Sequence, residues 1–218
     1  GENRMVFNKI NFENWERKEC FNHFSSIAKS TYSLTVNMDI TKLIDFIKKN
    51  NYRLYPTFTW IVSRSINNYK EFKMGYDDNR NIGYYDTVNP DYSVLNDRTK
   101  IMDTLCTKYN SEFKIFYNNM VDDLNAYKNY GKGTKAQVNS FIVSCLPWIT
   151  YTSFNASNES EYQFLFPMVT WGKYFEHDNK ILMPLTLQIH HAVADGYHCS
   201  LFYNDIEQIL NYPEKYLS

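Results

Sequence analysis

The stretch that most constrains this chain lies close to its end. An apolar run, Ile181-Leu182-Met183-Pro184-Leu185-Thr186-Leu187-Gln188-Ile189, has the length and composition of a strand. It leads directly into His190-His191-Ala192-Val193-Ala194-Asp195-Gly196. After Gly196, the residues Leu201, Phe202, Ile206, Ile209 and Leu210 recur at helical spacing on one face. Three histidines (His190, His191 and His198), an aspartate and a glycine thus sit at a strand-to-helix junction. A rigid scaffold holds a short exposed loop at such a point, and sites are commonly built there.

A histidine titrates near neutral pH and serves as a general base once its tautomer and ring orientation are fixed. Adjacent residues of a strand face opposite sides. One of His190 and His191 is therefore expected to point to a site and the other to packing. Asp195, four residues on, does not easily reach the same ring if the loop turns away. It is expected to pair with a cation from elsewhere and so fix the loop, with Gly196 permitting the backbone turn. Two other readings fit the same residues. The three histidines and Asp195 are of metal-binding types, although no dense Cys/His cluster accompanies them and no Glu lies between the histidines as in a helical HExxH site. A purely structural loop is the other.

The motif HHxxxDG, standing here as His190-His191-Ala192-Val193-Ala194-Asp195-Gly196, resembles the signature of the chloramphenicol acetyltransferase superfamily. That superfamily includes dihydrolipoyl acyltransferases and peptide-synthetase condensation domains. With 218 residues the chain is long enough for one domain with a full core. It is too short for a condensation domain, which resembles two such halves fused. No lipoyl-like segment, flexible linker, repeat or low-complexity tract is visible. One acetyltransferase domain over 1–218 is expected, with residues 1–4, ahead of Met5, a remnant outside the fold. A net charge of −1 gives no reason to expect nucleic acid or an anionic membrane as partner. Cys20, Cys106, Cys145 and Cys199 form no CxxC pair and read as free thiols of a reducing cytoplasm. No apolar run approaches the roughly 20 residues of a membrane span, and no signal peptide is seen.

In chain order, residues 12–25 are expected as a first helix anchored by Trp15, Phe21 and Phe24. Its segment Asn14-Trp15-Glu16-Arg17-Lys18-Glu19 is similar to the family's NWxRxE. That likeness implies that Arg17 pairs with Asp195, through a planar guanidinium that lysine replaces poorly. Residues 31–39 alternate as a half-buried strand, with Tyr32, Leu34, Val36 and Met38 on one side. A helix capped by Asp39 or Thr41 follows. Another opens at Tyr55-Pro56 and runs over 57–68. Residues 81–86 and 91–96 read as strands, with Asn89-Pro90 as the turn. An amphipathic helix is expected over 111–130, ended by a loop with Gly131 and Gly133. Residues 140–148 read as a strand, and 164–175 and 181–190 as two long strands joined by a hairpin at 176–180.

The resemblance assigns roles residue by residue. The element at 140–148 is similar to the family's xxVSxLPW, which makes Ser144 the oxyanion donor. Thr170-Trp171-Gly172-Lys173-Tyr174 matches TxxKY, which makes Thr170 a support for the intermediate. His191 becomes the base. The implied acceptor pocket comprises Phe24, Ser30, Tyr32, Ser93, Met102, Phe154, Ala156 and Met168. Met102 replaces the aromatic residue of a TETF-like run. Ala156-Ser157 departs from an SFNLN run, and Phe24 stands where the family has tyrosine. Arg53, Tyr55, Trp148, Lys173 and Tyr174 are implied contacts of acetyl-CoA, and no metal is implied. The implied fold is α/β, a two-layer sandwich of helices on a mixed, largely antiparallel sheet, the CoA-dependent acyltransferase fold. The implied assembly is a homotrimer with interface active sites. In it one chain supplies His191 and its neighbour supplies Phe24, Ser30 and Tyr32. The implied reaction is direct acetylation of a hydroxyl of chloramphenicol, which inactivates the antibiotic, with no acyl-enzyme. An O-acetyltransferase for a different alcohol and a non-catalytic trimer that holds a small apolar ligand are the alternatives.

Overall fold

The protein is known from a computed structural model, which describes residues 5–135, 137–156 and 164–218. Residues 1–4 and Ser157 lie outside the described residues. The elements follow one another as β1 (Phe7–Lys9), α1 (Lys18–Asn22), β2 (Thr31–Asp39), α2 (Thr41–Asn50), α3 (Leu54–Asn68), β3 (Met74–Tyr76), β4 (Ile82–Tyr85), β5 (Asn89–Leu95), β6 (Met102–Cys106), α4 (Phe113–Tyr130), β7 (Ser140–Leu146), β8 (Met168–Gly172), β9 (Phe175–His177), β10 (Lys180–His190), α5 (Gly196–Asn211) and α6 (Pro213–Tyr216). The main sheet has the order β2-β10-β8-β7-β5-β6, with β9 also paired to β10. Strands β5, β7 and β8 run parallel, and the other pairings of this sheet are antiparallel. A small antiparallel sheet, β1-β4-β3, stands beside it. The fold is α/β with a mixed, largely antiparallel sheet, as the sequence implies.

Strand alternation separates the two faces of the main sheet. Tyr92, Val143, Val169, Leu185 and Leu187 lie on one face and are fully buried together with Phe58, Ile61 and Val62 of α3 and Phe202 and Ile206 of α5. Each such side chain stabilises the fold by about 1.5–3 kcal/mol through burial. The opposite face carries hydroxyls. Register pairs Ser144 with Thr170, Thr170 with Thr186 and Thr186 with Thr35. The pairing of Tyr92 with Val143 sets Ser93 beside Ser144.

Several boundaries differ from the sequence reading. Residues 12–25 do not form one helix. A 3-10 turn (Phe12–Asn14), α1 and a wider π turn (His23–Ile27) share the stretch. Arg17, at φ −89° and ψ 1°, stands outside the helical region just before α1. Asn89-Pro90 is part of β5 and not a turn. The Asn89 N–H donates to the Asn139 carbonyl at 2.9 Å, and Pro90 occupies the start of a strand, where a missing N–H is tolerated. The strand expected over 164–175 divides into β8 and β9. The hairpin after it turns through Asp178 and Asn179, both left-handed at φ 49° and 59°. Strand β2 has its expected bounds but not its expected burial. Met38 is buried, whereas Leu34 and Val36 are 36% and 41% exposed.

Candidate active site

The junction after β10 is a tight turn fixed from three directions. Arg17 supplies the first. Its Nη1 and Nη2 donate to the two Asp195 carboxylate oxygens at 2.6 and 2.7 Å. Nη2 also donates to the His191 carbonyl at 2.8 Å, and Nε to the Ala192 carbonyl at 2.7 Å. A single guanidinium therefore holds both the carboxylate and the loop backbone, which its planar fork is shaped to do. Arg17 beside it holds the Asp195 carboxyl below the usual carboxylate range. The second constraint comes from just ahead of β2, where the Ser30 carbonyl accepts the His191 N–H at 2.9 Å. The third is α5: His198, in its first turn, accepts the Asp195 N–H on Nδ1 at 3.0 Å. The other His198 nitrogen lies 3.8 Å from Glu71.

The His191 ring is fixed as closely as its backbone. Phe24 stacks on it with ring centroids 3.6 Å apart and planes 17° apart. Tyr32 packs against it at 4.5 Å. Nδ1 lies 3.1 Å from the Ala194 carbonyl. A carbonyl only accepts, so Nδ1 carries the proton and Nε2 keeps its lone pair. Asp195 Oδ1 lies 3.3 Å from the same Nδ1. The expectation that Asp195 turns away from the ring is thus corrected: it meets Arg17 and the imidazole together. His190 ends β10 and uses Nδ1 to accept the Ala192 N–H at 3.1 Å. Burial pushes its pKa down. His191 itself stands past the strand end, so packing on Phe24 and Tyr32 aims it, and strand alternation does not.

The remaining sequence-predicted residues fall into separate groups. Phe24, Ser30 and Tyr32 meet His191 within the same chain. Ser93, Ser144, Met168 and Thr170 share the hydroxyl face of the sheet. The Ser144 hydroxyl has no hydrogen-bond partner among the described residues, and the Thr170 and Ser93 hydroxyls are buried without one. Met102 lies at the β6 margin of that face, paired with Leu95 and 44% exposed. Phe154 and Ala156 belong to a loop pinned over the β2–β10 edge of the same face. Ser33 donates to the Phe154 carbonyl at 2.6 Å, and Gln188 bonds the Ala156 backbone through both N–H and carbonyl. Met102 and Ala156 therefore stand toward opposite edges of the same sheet face in one chain.

Trp148, Lys173 and Tyr174 are exposed beyond the C-terminal ends of β7 and β8, with the Lys173 N–H donating to Ile149 at 2.8 Å. Arg53 is exposed just ahead of α3. Tyr55 serves the fold: its hydroxyl donates to the Ser93 carbonyl at 2.6 Å and its ring packs edge-on against Tyr92 and Trp171. Sequence reasoning missed Tyr151. Its hydroxyl donates to the Thr170 carbonyl at 2.9 Å and lies 3.1 Å from Thr186 Oγ1. It missed Gln188 as well, although a glutamine inside an apolar strand was a visible sign.

Ser144 and Thr170 do not meet His191 in one chain. Thr170 pairs with Thr186, five positions before His191 on β10. At roughly 3.3 Å per residue that is about 16 Å of strand. No cluster of three or more His, Cys, Asp or Glu among the described residues is arranged to hold a metal. No helix among them is long and apolar enough to cross a membrane.

Helices on a mixed sheet, with a tautomer-fixed histidine braced by an arginine–aspartate pair at a strand end, define an acyltransferase of the HHxxxDG class. The chain belongs to the chloramphenicol acetyltransferase family, whose profile it matches over residues 5–207. It is 38% identical over 208 residues to a chloramphenicol acetyltransferase of Clostridium butyricum, covering 94% of this chain and 95% of that one. To one from Staphylococcus aureus it is 40% identical over 209 residues, 94% and 100% of the two chains. A solved chloramphenicol acetyltransferase superposes with a TM-score of 0.84 at 23% identity, covering 94% and 100%. A probable dihydrolipoamide acetyltransferase from Listeria monocytogenes shares the fold at a TM-score of 0.65 and 15% identity, over 90% and 92%.

Proposed function

We propose that the protein transfers acetyl from acetyl-CoA to a hydroxyl of chloramphenicol, with His191 as general base, and so inactivates the antibiotic in the cytoplasm. The observation that carries the role of His191 is its tautomer. With Nδ1–H engaged by the Ala194 carbonyl, Nε2 is the free base. It takes the proton from the acceptor hydroxyl as that oxygen attacks the reacting carbonyl, and later returns it to the departing sulfur. Asp195, 3.3 Å from Nδ1, favours the imidazolium that forms in between. The unpartnered Ser144 hydroxyl is suited to donate to the oxygen that gains charge, a role in which preorganised donors have their largest effect. Thr170, buried with an unpartnered hydroxyl, supports it.

Acetyl-CoA supplies an activated acetyl thioester. Exposed indole and phenol faces at Trp148 and Tyr174, with Lys173 and Arg53 as cations, fit a nucleotide carrying phosphates. About 16 Å of strand between the two groups supports a site in which His191 of one copy serves Ser144 of another. A homotrimer with three shared sites provides that arrangement.

The test measures release of free CoA with chloramphenicol present. His191→Ala is expected to lower turnover by at least about 10³-fold, at the scale of a lost base with its positioning, while the fold persists. His190→Ala, which removes one turn hydrogen bond, is expected to cost about 1 kcal/mol of stability and leave chemistry largely intact. Loss of turnover in a well-folded His190→Ala, with His191→Ala active, would reverse the assignment.

A further inference from the structure

Among the described residues, the buried side-chain polar atoms without any hydrogen-bond partner are Asp91 Oδ1, Ser93 Oγ and Thr170 Oγ1. All three lie on one face of the main sheet. Asp91 and Ser93 are alternate residues of β5 and point the same way. The pairing of Asp91 with Ile142 places Ser144 diagonally next to Asp91. Thr170 stands opposite Ser144 on β8. Native folds leave few buried polar groups unpaired. Their confinement to the face that carries Ser144 therefore points to something that binds there.

Asp91 is the costliest of the three to leave unpaired. It is only 9% exposed. Its sheet neighbours on that face are Cys106 and Ile142, neither of which is a strong donor. Burial raises its pKa above the usual carboxylate range. A carboxyl so placed seeks a donor, and the described residues offer its Oδ1 none.

We propose that Asp91, with Ser93 beside it, forms a hydrogen-bonding floor of the acceptor site. It selects alcohols that carry a second donor, an O–H or N–H, about 7 Å from the reacting centre at Ser144, the separation of diagonal neighbours in a sheet. The assignment presupposes that the hydroxyl face receives the acceptor. It adds a recognition residue to that surface and a chemical requirement on what the surface accepts.

The experiment uses the full-length enzyme and two matched pairs of chloramphenicol analogues. One pair bears a para hydroxyl or a para methoxy group in place of the nitro group. The other carries the amide as N–H or N-methyl. The quantity read is the ratio of kcat/KM for the donor-bearing member over its capped partner. In the wild type at least one pair is expected to give a ratio on the order of tenfold or more, the size of a hydrogen bond to a carboxyl group. Asp91→Leu is expected to bring that ratio close to one, chiefly through KM. Asp91→Asn, nearly the same shape and still able to accept, is expected to fall between and keeps the test alive if the leucine variant does not fold. Equal ratios in wild type and variants overturn the proposal, as does a lowered Tm in Asp91→Leu with the ratios unchanged, which would make Asp91 a packing residue. A wild type that transfers acetyl to none of the analogues, nor to chloramphenicol, defeats the functional reading itself and is recognised by that.

Discussion

At the scale of single residues, Arg17 carries more of the site than its position suggests. It makes four hydrogen bonds, two to Asp195 and two to carbonyls of the loop that presents His191. Arg17→Lys retains the charge but not the fork. The expected loss is about 1–3 kcal/mol, below the range for a fully buried pair, because Asp195 is 38% exposed and partly screened by solvent. Turnover should fall with it, since the same bonds place His191. The pair also sets a pH dependence. Arg17 depresses the folded-state pKa of Asp195. A depressed carboxylate stabilises the fold fully above its unfolded pKa, near 3.9. That stabilisation is lost as pH falls through the lower folded value. Wild-type Tm is therefore expected to decline below about pH 4, and Asp195→Asn to start lower and decline less steeply over that window. Parallel acid limbs in Tm scans of the two proteins would mean that another carboxylate is responsible.

At the scale of elements, the seam between β2 and β10 depends on a side chain from neither strand. The Tyr203 hydroxyl of α5 accepts the Leu187 N–H at 3.0 Å and lies 2.6 Å from the Leu34 carbonyl and 3.0 Å from that of Leu185. It ties the helix to the strand pair just before the site. Tyr203→Phe leaves a buried N–H without its acceptor and is expected to cost about 1–3 kcal/mol. Faster amide exchange at Leu187 would accompany it; unchanged exchange and Tm would show that the strands close over the gap. The strands and helices themselves were largely legible. The alternation of residues 31–39, the apolar run before His190 and the helical spacing after Gly196 gave β2, β10 and α5 close to their observed bounds. Periodicity failed where tertiary bonds decide. Arg17 leaves the helical conformation at the place from which it grips the loop, so one expected helix became three short pieces. Pro90 was read as a turn because sequence alone does not reveal a strand start beside Asn139. Asp195 was legible as the partner of Arg17 only through the NWxRxE likeness; its approach to the His191 ring depends on a turn that spacing does not specify.

At the scale of the whole molecule, the proposed reaction assigns its residues to two separated groups. His191, Phe24, Tyr32, Arg17 and Asp195 gather at one end of the sheet, and Ser144 and Thr170 stand about 16 Å along it. Beside the His191 end, β2 is the edge of the main sheet and exposes Leu34 and Val36. An apolar edge strand is a surface that proteins ordinarily cover. If a second copy covers it, each His191 faces the Ser144 of a neighbour, and inactivating substitutions in different chains should complement. His191→Ala and Ser144→Ala proteins, each nearly inactive alone, are unfolded together in equal amounts and refolded. In a closed ring of randomly mixed subunits, about a quarter of the interfaces pair an intact His191 with an intact Ser144. Acetyl transfer should recover to about that fraction of wild type, and only after co-refolding. Recovery on simple mixing would indicate subunit exchange and still support a shared site. No recovery, with mixed oligomers verified by mass, would require His191 and Ser144 to act within one chain, which would mean that the sheet rearranges by the length of half a strand.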